Sequence, residues 1–319
     1  MFWILIIGDI DDSHVAQVCS ILKKRGGNPI VLNPFKGSEN SISYSYNPLS
    51  IRINAQGHSI EVKKIKSVWW RLKPNLISIP ETPEEFERSK FIHREWQLTL
   101  EPLKYFLKDC FWINRREADA LCRNKPFQLN LANREGFKIP DGIISNNSSE
   151  VQKKISGFKQ VVYKPLSYYI VPPDRILYSS IMTKDEVEHK SPNIEQAPCI
   201  FQEYIEKDFE LRITVVGKKV FPIKIQSQQN NITKFDWRKD QINIDYEIFE
   251  LPKGIQQKLL NLHQKFEIFF GAYDFIVDPN GEYYFLEVNP AGQWLWLEEI
   301  LNLSISESIA EALIDNTKN

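Results

Sequence analysis

The stretch Ala272–Pro290, which reads AYDFIVDPNGEYYFLEVNP, is the most informative part of the chain. Two runs rich in β-branched and aromatic residues flank Asp278–Gly281, a sequence typical of a tight turn. The stretch therefore predicts a β-hairpin.

Charged side chains are spaced along this hairpin in a way that depends on its register. If Val277 pairs with Glu282, Asp274 lies opposite Phe285. Because side chains alternate with a period of two residues, Phe285 and Glu287 then share the face of Asp274. Asn289 continues the same period, so this register predicts a cluster of polar groups on one face.

Two carboxylates and an amide oxygen, from Asp274, Glu287 and Asn289, would converge in this arrangement. Burying two like charges together is costly unless a cation lies between them. Hard oxygen ligands at this spacing suit Mg²⁺, which completes its octahedron with water and substrate phosphates. The alternative is the solvated outer face of an edge hairpin, where exposed Asp and Glu are common.

Two lysines precede prolines at positions where an anion would be expected. Lys125 comes directly before Pro126 at a predicted helix N-terminus, where a cation is disfavoured by about 0.3–1 kcal/mol. Lys164 ends the apolar strand Gln160–Lys164. A bound anion would explain both lysines, and the alternative for each is an ordinary solvated side chain.

The composition excludes several classes of protein. The 319 residues suggest about two domains or three small ones. A net charge of −1 argues against a dedicated nucleic-acid binder, and no apolar run approaches the ~20 residues that cross a bilayer. Four cysteines without CxxC spacing are typical of a reducing cytoplasm.

Glycine is scarce, with 13 residues in the whole chain. Neither GxxxxGK[ST] nor GxGxxG occurs, so a Walker loop and a Rossmann dinucleotide fingerprint are excluded. Any nucleotide site in this protein must hold its phosphates by other means.

The chain divides into three predicted α/β units, 1–114, 115–198 and 199–319. The first reads β-α-β, with a strand at Trp3–Ile7 and a helix from about Ser13 to Lys24. A second, charged helical segment at Thr82–Leu107 carries Phe86, Phe91, Trp96 and Leu103 loosely on one side.

Five motifs in this order resemble the ATP-grasp superfamily over about residues 110–300: Asn124-Lys125-Pro126, Tyr163-Lys164-Pro165, Gln202-Glu203-Tyr204-Ile205, Glu210-Leu211-Arg212 and Asp274…Glu287-Val288-Asn289-Pro290. The resemblance implies an α/β fold of three domains, in which a Rossmann-like pre-ATP-grasp domain precedes two ATP-grasp subdomains. It also implies a carboxylate ligase that uses ATP and Mg²⁺.

The resemblance implies a role for each motif. Lys125 and Lys164 would contact the ATP phosphates. The hinge Glu203-Tyr204-Ile205 would hydrogen-bond adenine largely through its backbone, and Glu210 would hold the ribose. The implied Mg²⁺ ligands are Asp274, Glu287 and Asn289.

A narrower resemblance covers almost the whole chain and points to the microviridin-type branch, the graspetide synthetases. It rests on six segments: Asp11-Asp12-Ser13-His14, Trp69-Trp70-Arg71, Trp112-Ile113-Asn114, Gly136-Phe137-Lys138-Ile139-Pro140, Phe235-Asp236-Trp237-Arg238 and Phe285–Glu298. The run Gly292-Gln293-Trp294-Leu295-Trp296 is its most distinctive piece, and its aromatic pair is also expected to pack under the site.

The implied activity is macrocyclisation of a ribosomal precursor peptide made of a leader and a core. Asp or Glu side chains would be activated as acyl phosphates and joined to Ser/Thr hydroxyls as ω-esters or to Lys amines as ω-amides. The alternatives are a ligase that adds amino acids to a protein tail or small acid, and a nucleotide-binding adapter with a decayed site.

The chain also departs from the wider superfamily. The segment after Lys164, Leu166–Pro173, contains no glycine where many relatives have a glycine-rich flap. Amino-acid ligases of the superfamily often place Arg two residues before the metal-binding Asp, where this chain has Ala272. We expect Arg212 and Arg238, together with Lys164, to stabilise the transferred phosphoryl group. A salt bridge with Asp236 or Asp240 is the alternative for Arg238.

The partners expected from the resemblance are a precursor peptide and a second copy of the chain in a homodimer, without nucleic acid or membrane. The leader would dock in or near Tyr168–Lys190, where Tyr168, Tyr169 and Tyr178 occur. A cytoplasmic location is expected.

Overall fold

The computed structural model describes residues 2–37, 39–72, 82–167, 170–171, 175–176 and 179–316. The first elements along the chain are β1 (Trp3–Ile7), α1 (Ser13–Lys24), β2 (Pro29–Leu32), β3 (Ser41–Ser45), β4 (Ser50–Ala55), β5 (His58–Glu61), β6 (Ile65–Trp70), α2 (Pro83–Leu100), α3 (Leu103–Phe106) and β7 (Phe111–Ile113).

The middle of the chain contains α4 (Arg116–Cys122), α5 (Lys125–Arg134), β8 (Gly142–Ser145), α6 (Ser148–Ile155), β9 (Val161–Lys164), β10 (Ile170–Val171), β11 (Arg175–Ile176), β12 (Ser180–Met182), α7 (Lys184–His189), α8 (Ser191–Ile194) and β13 (Cys199–Glu203). The remainder contains β14 (Phe209–Val216), β15 (Lys219–Ile225), β16 (Tyr246–Ile248), α9 (Lys253–Lys265), β17 (Phe270–Val277), β18 (Tyr283–Asn289), α10 (Leu295–Leu301) and α11 (Ile305–Asp315).

The N-terminal sheet is parallel and has the order β2-β1-β6-β7. Its central strand β1 is a continuous apolar run with Ile4–Ile7 buried, as expected for a parallel sheet that is covered on both faces. Helix α1 begins at the predicted residue because the Asp12 carboxylate caps it, accepting from the amide of His14. A small antiparallel sheet, β3-β4-β5, packs beside this unit.

Two antiparallel sheets make up the rest of the framework. The central sheet has the order β12-β9-β13-β8, and the C-terminal sheet has the order β16-β15-β14-β17-β18. Strand β18 lies at the edge of the C-terminal sheet, beyond the fully buried strand β17. Parallel and antiparallel sheets that occur together with helices in one chain confirm the predicted α/β class.

The predicted helical segment Thr82–Leu107 forms two helices, α2 and α3, which are separated by Glu101 and Pro102. Trp96 and Leu103 pack against the core of the N-terminal sheet. Phe86 and Phe91 do not, because their side chains are 45% and 65% exposed. Among the helices of the described residues, none is long and apolar enough to span a bilayer.

Candidate active site

Asp274 and Glu287 lie directly opposite each other on the paired strands β17 and β18. The predicted register is wrong, because Val277 pairs with Tyr283 instead of Glu282. Phe285 therefore lies opposite Phe275, and both rings are buried in the core of the C-terminal sheet.

A β-bulge in β18 changes which face of the sheet Glu287 and the residues after it point to. The register shifts between Asp274 and Phe275, so β18 has one additional residue, Leu286, at this point. Phe285 and Glu287 consequently point to opposite faces, which corrects the expectation that they share one. Asn289 pairs with Ala272 and lies two residues beyond Glu287.

Asp274 is ion-paired with Arg212 from the neighbouring strand β14. The two residues are cross-strand partners, and the Arg212 Nη1 donates to Asp274 Oδ1 at 2.8 Å. Both side chains are buried. Because a buried charge without its partner costs about 3–5 kcal/mol, each residue holds the other in place.

Glu287 is surrounded by cations. Its Oε2 accepts a hydrogen bond from Lys125 Nζ, and its Oε1 lies 3.7 Å from Arg238 Nη1. Loss of water around the carboxylate acts to raise its pKa, but the charges of Lys125, Arg238 and Lys164 outweigh this effect and lower the pKa of Glu287 to about 2.

Lys125 reaches Glu287 because of the way α5 begins. Asn124 caps the helix by accepting from the amide of Phe127 at 3.0 Å, and Pro126 follows in the first turn. The sequence predicted an anion near this cation, because a cation alone is disfavoured at a helix N-terminus. The Glu287 carboxylate is such an anion.

Lys164 approaches the same carboxylate from the central sheet, at the end of β9. Burial lowers the pKa of Lys164 to about 8, and the nearby positive charges of Lys125 and Arg238 act in the same direction. The charge of Glu287 opposes both effects. The two predicted lysines therefore converge on Glu287 from helix α5 and from strand β9 of the central sheet.

Arg238 forms the salt bridge with Asp236 that the sequence offered as an alternative, and it also faces the candidate site. Its Nε and Nη2 donate to the two carboxylate oxygens of Asp236 at 2.8 and 3.2 Å. Its third nitrogen, Nη1, faces Glu287. Asp236 thus fixes the guanidinium in an orientation that leaves one edge directed at the site.

The predicted adenine hinge follows strand β13. The amide of Glu203 donates to the Asp141 carbonyl at 2.8 Å, and that of Tyr204 donates to the Gln160 carbonyl at 3.1 Å. Within the part of the chain that the structure describes, the amide of Ile205 has no such acceptor. The hinge therefore has a free backbone donor at Ile205, which is the type of group that adenine recognition requires.

Glu210, the predicted ribose ligand, forms a buried ion pair that the sequence did not reveal. Lys207 Nζ donates to Glu210 Oε1 at 2.8 Å and to the Phe235 carbonyl at 3.1 Å. Burial raises the pKa of Glu210, and the charge of Lys207 opposes that rise. Lys207 precedes Glu210 by three residues and lies before β14 begins at Phe209. This spacing does not predict an ion pair from the sequence.

The donor set suits Mg²⁺ together with phosphates. Two carboxylates, Asp274 and Glu287, lie among four cationic side chains, so the site has an excess of positive charge that favours a polyphosphate. Asn289 adds an amide oxygen, which accepts from the amide of Ala291 at 2.9 Å. Among all the described residues, this site included, there is no group of three His, Cys, Asp or Glu that could hold a metal ion, so the third predicted protein ligand here is the Asn289 amide. Oxygen donors with few protein ligands are typical of Mg²⁺ sites that share their metal with a nucleotide.

The segment after β18 lies very close to the sheet. A Cβ atom built on Gly292 would be 2.4 Å from the Cβ of Ala272 and 2.9 Å from Arg212 Nη2. Only glycine fits this position, and the close approach lets Arg212 donate to the Gln293 carbonyl at 3.3 Å.

The aromatic run after Gly292 packs beneath the site. Trp294 is fully buried against His14, Trp69 and Phe270. Trp296 stacks on Trp237 with ring centres 6.0 Å apart. His14 and Arg71 contact this run, although the sequence offered them only as parts of a family resemblance.

The predicted leader-docking tyrosines Tyr168, Tyr169 and Tyr178 lie outside the described residues, as does half of the glycine-free segment Leu166–Pro173. Strands β10 and β11 pair on either side of 172–174.

Solved structures with the same fold cover nearly the whole chain. A Chryseobacterium gregarium RiPP-associated ATP-grasp ligase, in complex with ADP and a leader and core peptide, is 29% identical with a TM-score of 0.87, over 99% of this chain and 97% of that one. The macrocyclase MdnC from Microcystis aeruginosa, bound with precursor peptide MdnA, is 27% identical with a TM-score of 0.86, over 99% of this chain and 100% of that one.

A third structure, the ATP-grasp ligase PsnB complexed with minimal precursor, Mg and ADP, is 20% identical with a TM-score of 0.77 and shares the fold over 99% of this chain and 98% of that one. No protein-family model and no curated protein sequence matches the chain. The resemblance to the ATP-grasp ligases and the α/β ATP-grasp fold it implies are confirmed by the solved structures.

Proposed function

We propose that this chain, an ATP-grasp ligase, is a peptide macrocyclase that activates Asp or Glu side chains of a ribosomal precursor peptide with ATP. The observation that carries the proposal is the pairing of Asp274 with Arg212 and of Glu287 with Lys125 on adjacent strands. Such an arrangement offers metal-binding oxygens and phosphate-binding cations within one face of a sheet.

Each predicted site residue has a place in this proposal. Asp274, Glu287 and Asn289 would hold Mg²⁺, which neutralises charge on the terminal phosphates of ATP when it is bound. Lys125 and Lys164 would bind phosphate oxygens from the two sides of Glu287. Arg212 and Arg238, each fixed by its own carboxylate, would stabilise the charge of the transferred phosphoryl group.

The nucleoside end of ATP would lie along β13 and β14. The free amide of Ile205 would donate to adenine, with Glu203 and Tyr204 held in place by their own backbone hydrogen bonds. Glu210 would accept from a ribose hydroxyl, and the hydrogen bond from Lys207 holds the carboxylate in place.

The reaction has two steps. A carboxylate oxygen of the peptide attacks the γ-phosphorus of ATP, which gives an acyl phosphate and releases ADP. A Ser/Thr hydroxyl or a Lys amine of the same peptide then attacks the acyl carbon, and phosphate leaves as the nucleophile loses its proton. Since acyl phosphates hydrolyse, the site must exclude water while both steps take place.

A peptide substrate is supported by two of the solved structures, the Chryseobacterium ligase with its leader and core peptide and MdnC with MdnA. We propose that the leader docks in the central unit, in or near residues 168–190. The proposed units 1–114, 115–198 and 199–319 would then contribute the Rossmann-like framework, the leader site with Lys164, and the nucleotide and metal site.

Mass spectrometry tests the activity directly. The purified chain is incubated with ATP, Mg²⁺ and a peptide encoded beside its gene. Cyclisation removes the mass of one water molecule for each crosslink, whereas the alternative ligase activity adds the mass of an amino acid. A decayed adapter would bind ADP and leave both the peptide and ATP unchanged.

The Glu287→Gln variant tests the metal assignment. We expect it to lower turnover by at least about 100-fold, because an oxygen ligand loses its charge while the fold keeps its shape. The matched control is Glu282→Gln on the same hairpin, whose exposed carboxylate lies 3.3 Å from Lys138. A fully active Glu287→Gln variant would refute the assignment.

A homodimer and a cytoplasmic location complete the proposal. Exposed apolar side chains on α2 and α3, including Phe91, Leu98 and Tyr105, offer a surface for a second copy. The four cysteines are free thiols, as in proteins of a reducing compartment. Light scattering of the purified chain gives the oligomeric state, and a dimer mass is expected.

A further inference from the structure

The backbone of residues 288–295, hereafter the anchored segment, is held by side chains from the first 128 residues of the chain. Four polar residues contribute, and each contacts a different part of the segment: Gln128 at Val288, Asn114 at Pro290, Arg71 at Ala291 and Gly292, and His14 at Trp294 and Leu295. All four side chains are buried.

The anchored segment begins in the last two residues of the edge strand β18, where one side of the backbone has no neighbouring strand to bond with among the described residues. Strand β18 has β17 on one side, and its other side lacks a strand partner at Val288 within the described part of the fold. The Gln128 side chain takes that place, since its Nε2 donates to the Val288 carbonyl at 2.9 Å and its Oε1 accepts from the Val288 amide at 3.0 Å. Val288 lies between Glu287 and Asn289, so this amide pair fixes both predicted ligands.

Asn114 and Arg71 fix the turn that follows. Asn114 Nδ2 donates to the carbonyls of Phe270 and Pro290 at 2.8 and 3.1 Å, which joins the two ends of the hairpin. Arg71 Nη1 donates to the carbonyls of Ala291 and Gly292 at 2.8 and 3.0 Å. The Arg71 guanidinium also lies over the Trp294 ring, 4.7 Å from its centre.

His14 fixes the end of the segment, where α10 begins. Its Nε2 accepts from the amides of Trp294 and Leu295 at 3.2 and 3.3 Å. Because both partners are N–H donors, Nε2 carries no proton, and Nδ1 donates to Asp12 Oδ1 at 2.9 Å. The Asp12 carboxylate therefore selects the tautomer that caps a helix in a distant part of the chain.

We propose that His14, Arg71, Asn114 and Gln128 are positioning residues that hold the anchored segment so that Glu287 and Asn289 are preorganised for a Mg²⁺–nucleotide complex. The inference rests on the proposed ATP and Mg²⁺ site. It assigns to His14, Arg71 and Asn114 of the N-terminal unit, and to Gln128 of α5, a part in metal binding without direct contact with the metal.

Calorimetric titration with ADP, in the presence and absence of MgCl₂, tests this assignment. We expect the intact chain to bind ADP more tightly with Mg²⁺ than without it. In His14→Phe, which keeps a ring but has no acceptor, we expect about tenfold of this Mg²⁺-dependent gain to be lost. The affinity for ADP alone should change little, because the predicted adenine and ribose contacts, Ile205 and Glu210, lie outside the anchored segment.

Two further variants separate positioning from simple destabilisation. His14→Gln places an acceptor oxygen near the position of Nε2, so it should restore most of the Mg²⁺-dependent gain. Gln128→Met removes both bonds to Val288 at similar volume and should behave like His14→Phe, so it serves as the test if His14→Phe does not fold. The control is Ser67→Ala, which removes the buried bond from Ser67 to the Leu313 carbonyl away from the segment.

The outcomes distinguish an error in the proposed metal site from an error in the proposed positioning role. If the intact chain binds ADP equally well with and without Mg²⁺, the proposed metal site is wrong and this inference falls with it. If the intact chain shows the gain and both His14→Phe and Gln128→Met retain it, the metal site stands and the positioning role is refuted. A loss in Ser67→Ala equal to that in His14→Phe would also refute it, since that bond does not touch the segment.

Discussion

The N-terminal sheet and the central sheet differ in the way they join the C-terminal sheet. The N-terminal sheet shares a hydrophobic core with it, since one buried cluster includes Ile4 and Trp69 together with Phe270 and Trp294. The central sheet has a core of its own, whose members all come from residues 143–201. The N-terminal and C-terminal sheets therefore form one block, and the central sheet is a separately packed body.

This difference divides the predicted phosphate site between two bodies. Lys125, Arg212 and Glu287 belong to the block, because α5 packs into the core of the C-terminal sheet. Lys164 belongs to the central sheet. A shift of the central sheet would change the distance from Lys164 to Glu287 and leave the Lys125–Glu287 pair intact, as closure over a bound nucleotide requires.

The largest expected effect comes from the shared core. Trp294→Ala should lower the free energy of unfolding by about 3–5 kcal/mol, because the ring is fully buried between the two sheets. Urea unfolding followed by hydrogen exchange should show both sheets losing protection together. Trp296→Ala is the matched control, with a smaller expected loss because that ring is half-buried. Separate transitions for the N-terminal and C-terminal sheets would disprove the single block.

A second effect is specific to acid. His263 in α9 is buried, with Nε2 3.2 Å from the Phe269 carbonyl and Nδ1 2.9 Å from the Tyr273 hydroxyl. Burial lowers the pKa of His263 from 6.5 to about 4. Between these values the unfolded chain binds a proton that the folded chain does not, so stability falls as the pH falls from 6.5 to 4.

The size of this acid effect is at most about 3.5 kcal/mol, because the two pKa values differ by about 2.5 units and one unit corresponds to about 1.4 kcal/mol. Urea unfolding at pH 7, 5.5 and 4 measures it. In His263→Gln this contribution should disappear, whereas the exposed His189→Gln in the central unit should keep it. An unchanged slope in His263→Gln would exclude this residue as the cause.

The smallest effect compares two helix caps of the same kind. Asn124 caps α5 in the block, and Asn147 caps α6 in the central unit, each by accepting from the amide three residues on. Asn→Ala at either position should cost about 1 kcal/mol. Hydrogen exchange should increase across the C-terminal sheet for Asn124→Ala and only within 143–201 for Asn147→Ala. If both variants increased hydrogen exchange over the same residues, the central sheet would not be packed separately from the block.

Local signals in the sequence predicted much of the fold. The cap of α1 and the turn of the β17–β18 hairpin depend on neighbouring residues, and these elements were predicted close to their observed bounds. Strand β3 was not predicted, because Ser41–Ser45 is polar and half-exposed and depends on pairing with β4.

The site was less predictable in its register and in its supports. The bulge at Leu286 has no local signature, since neither glycine nor proline marks it, and packing of Phe285 in the core selects it. The supports of the anchored segment join residues as far apart as His14 and Trp294. A pairing across such a separation follows from the fold and cannot be inferred from spacing. The roles of the site residues and the domain bounds stay predictions until the variants are measured.

The contact between Gly292 and Ala272 limits how such a site can change by substitution. The backbone of one residue fills the space beside the Cβ of the other, so the two positions share one volume. Amino-acid ligases of the superfamily often have an arginine at the position of Ala272. That side chain has no room here while the backbone of Gly292 stays where it is. In this chain Arg212 supplies the charge beside Asp274 from β14 instead. The two ways of placing that charge are mutually exclusive, and a lineage could exchange one for the other only by rebuilding the turn at the same time.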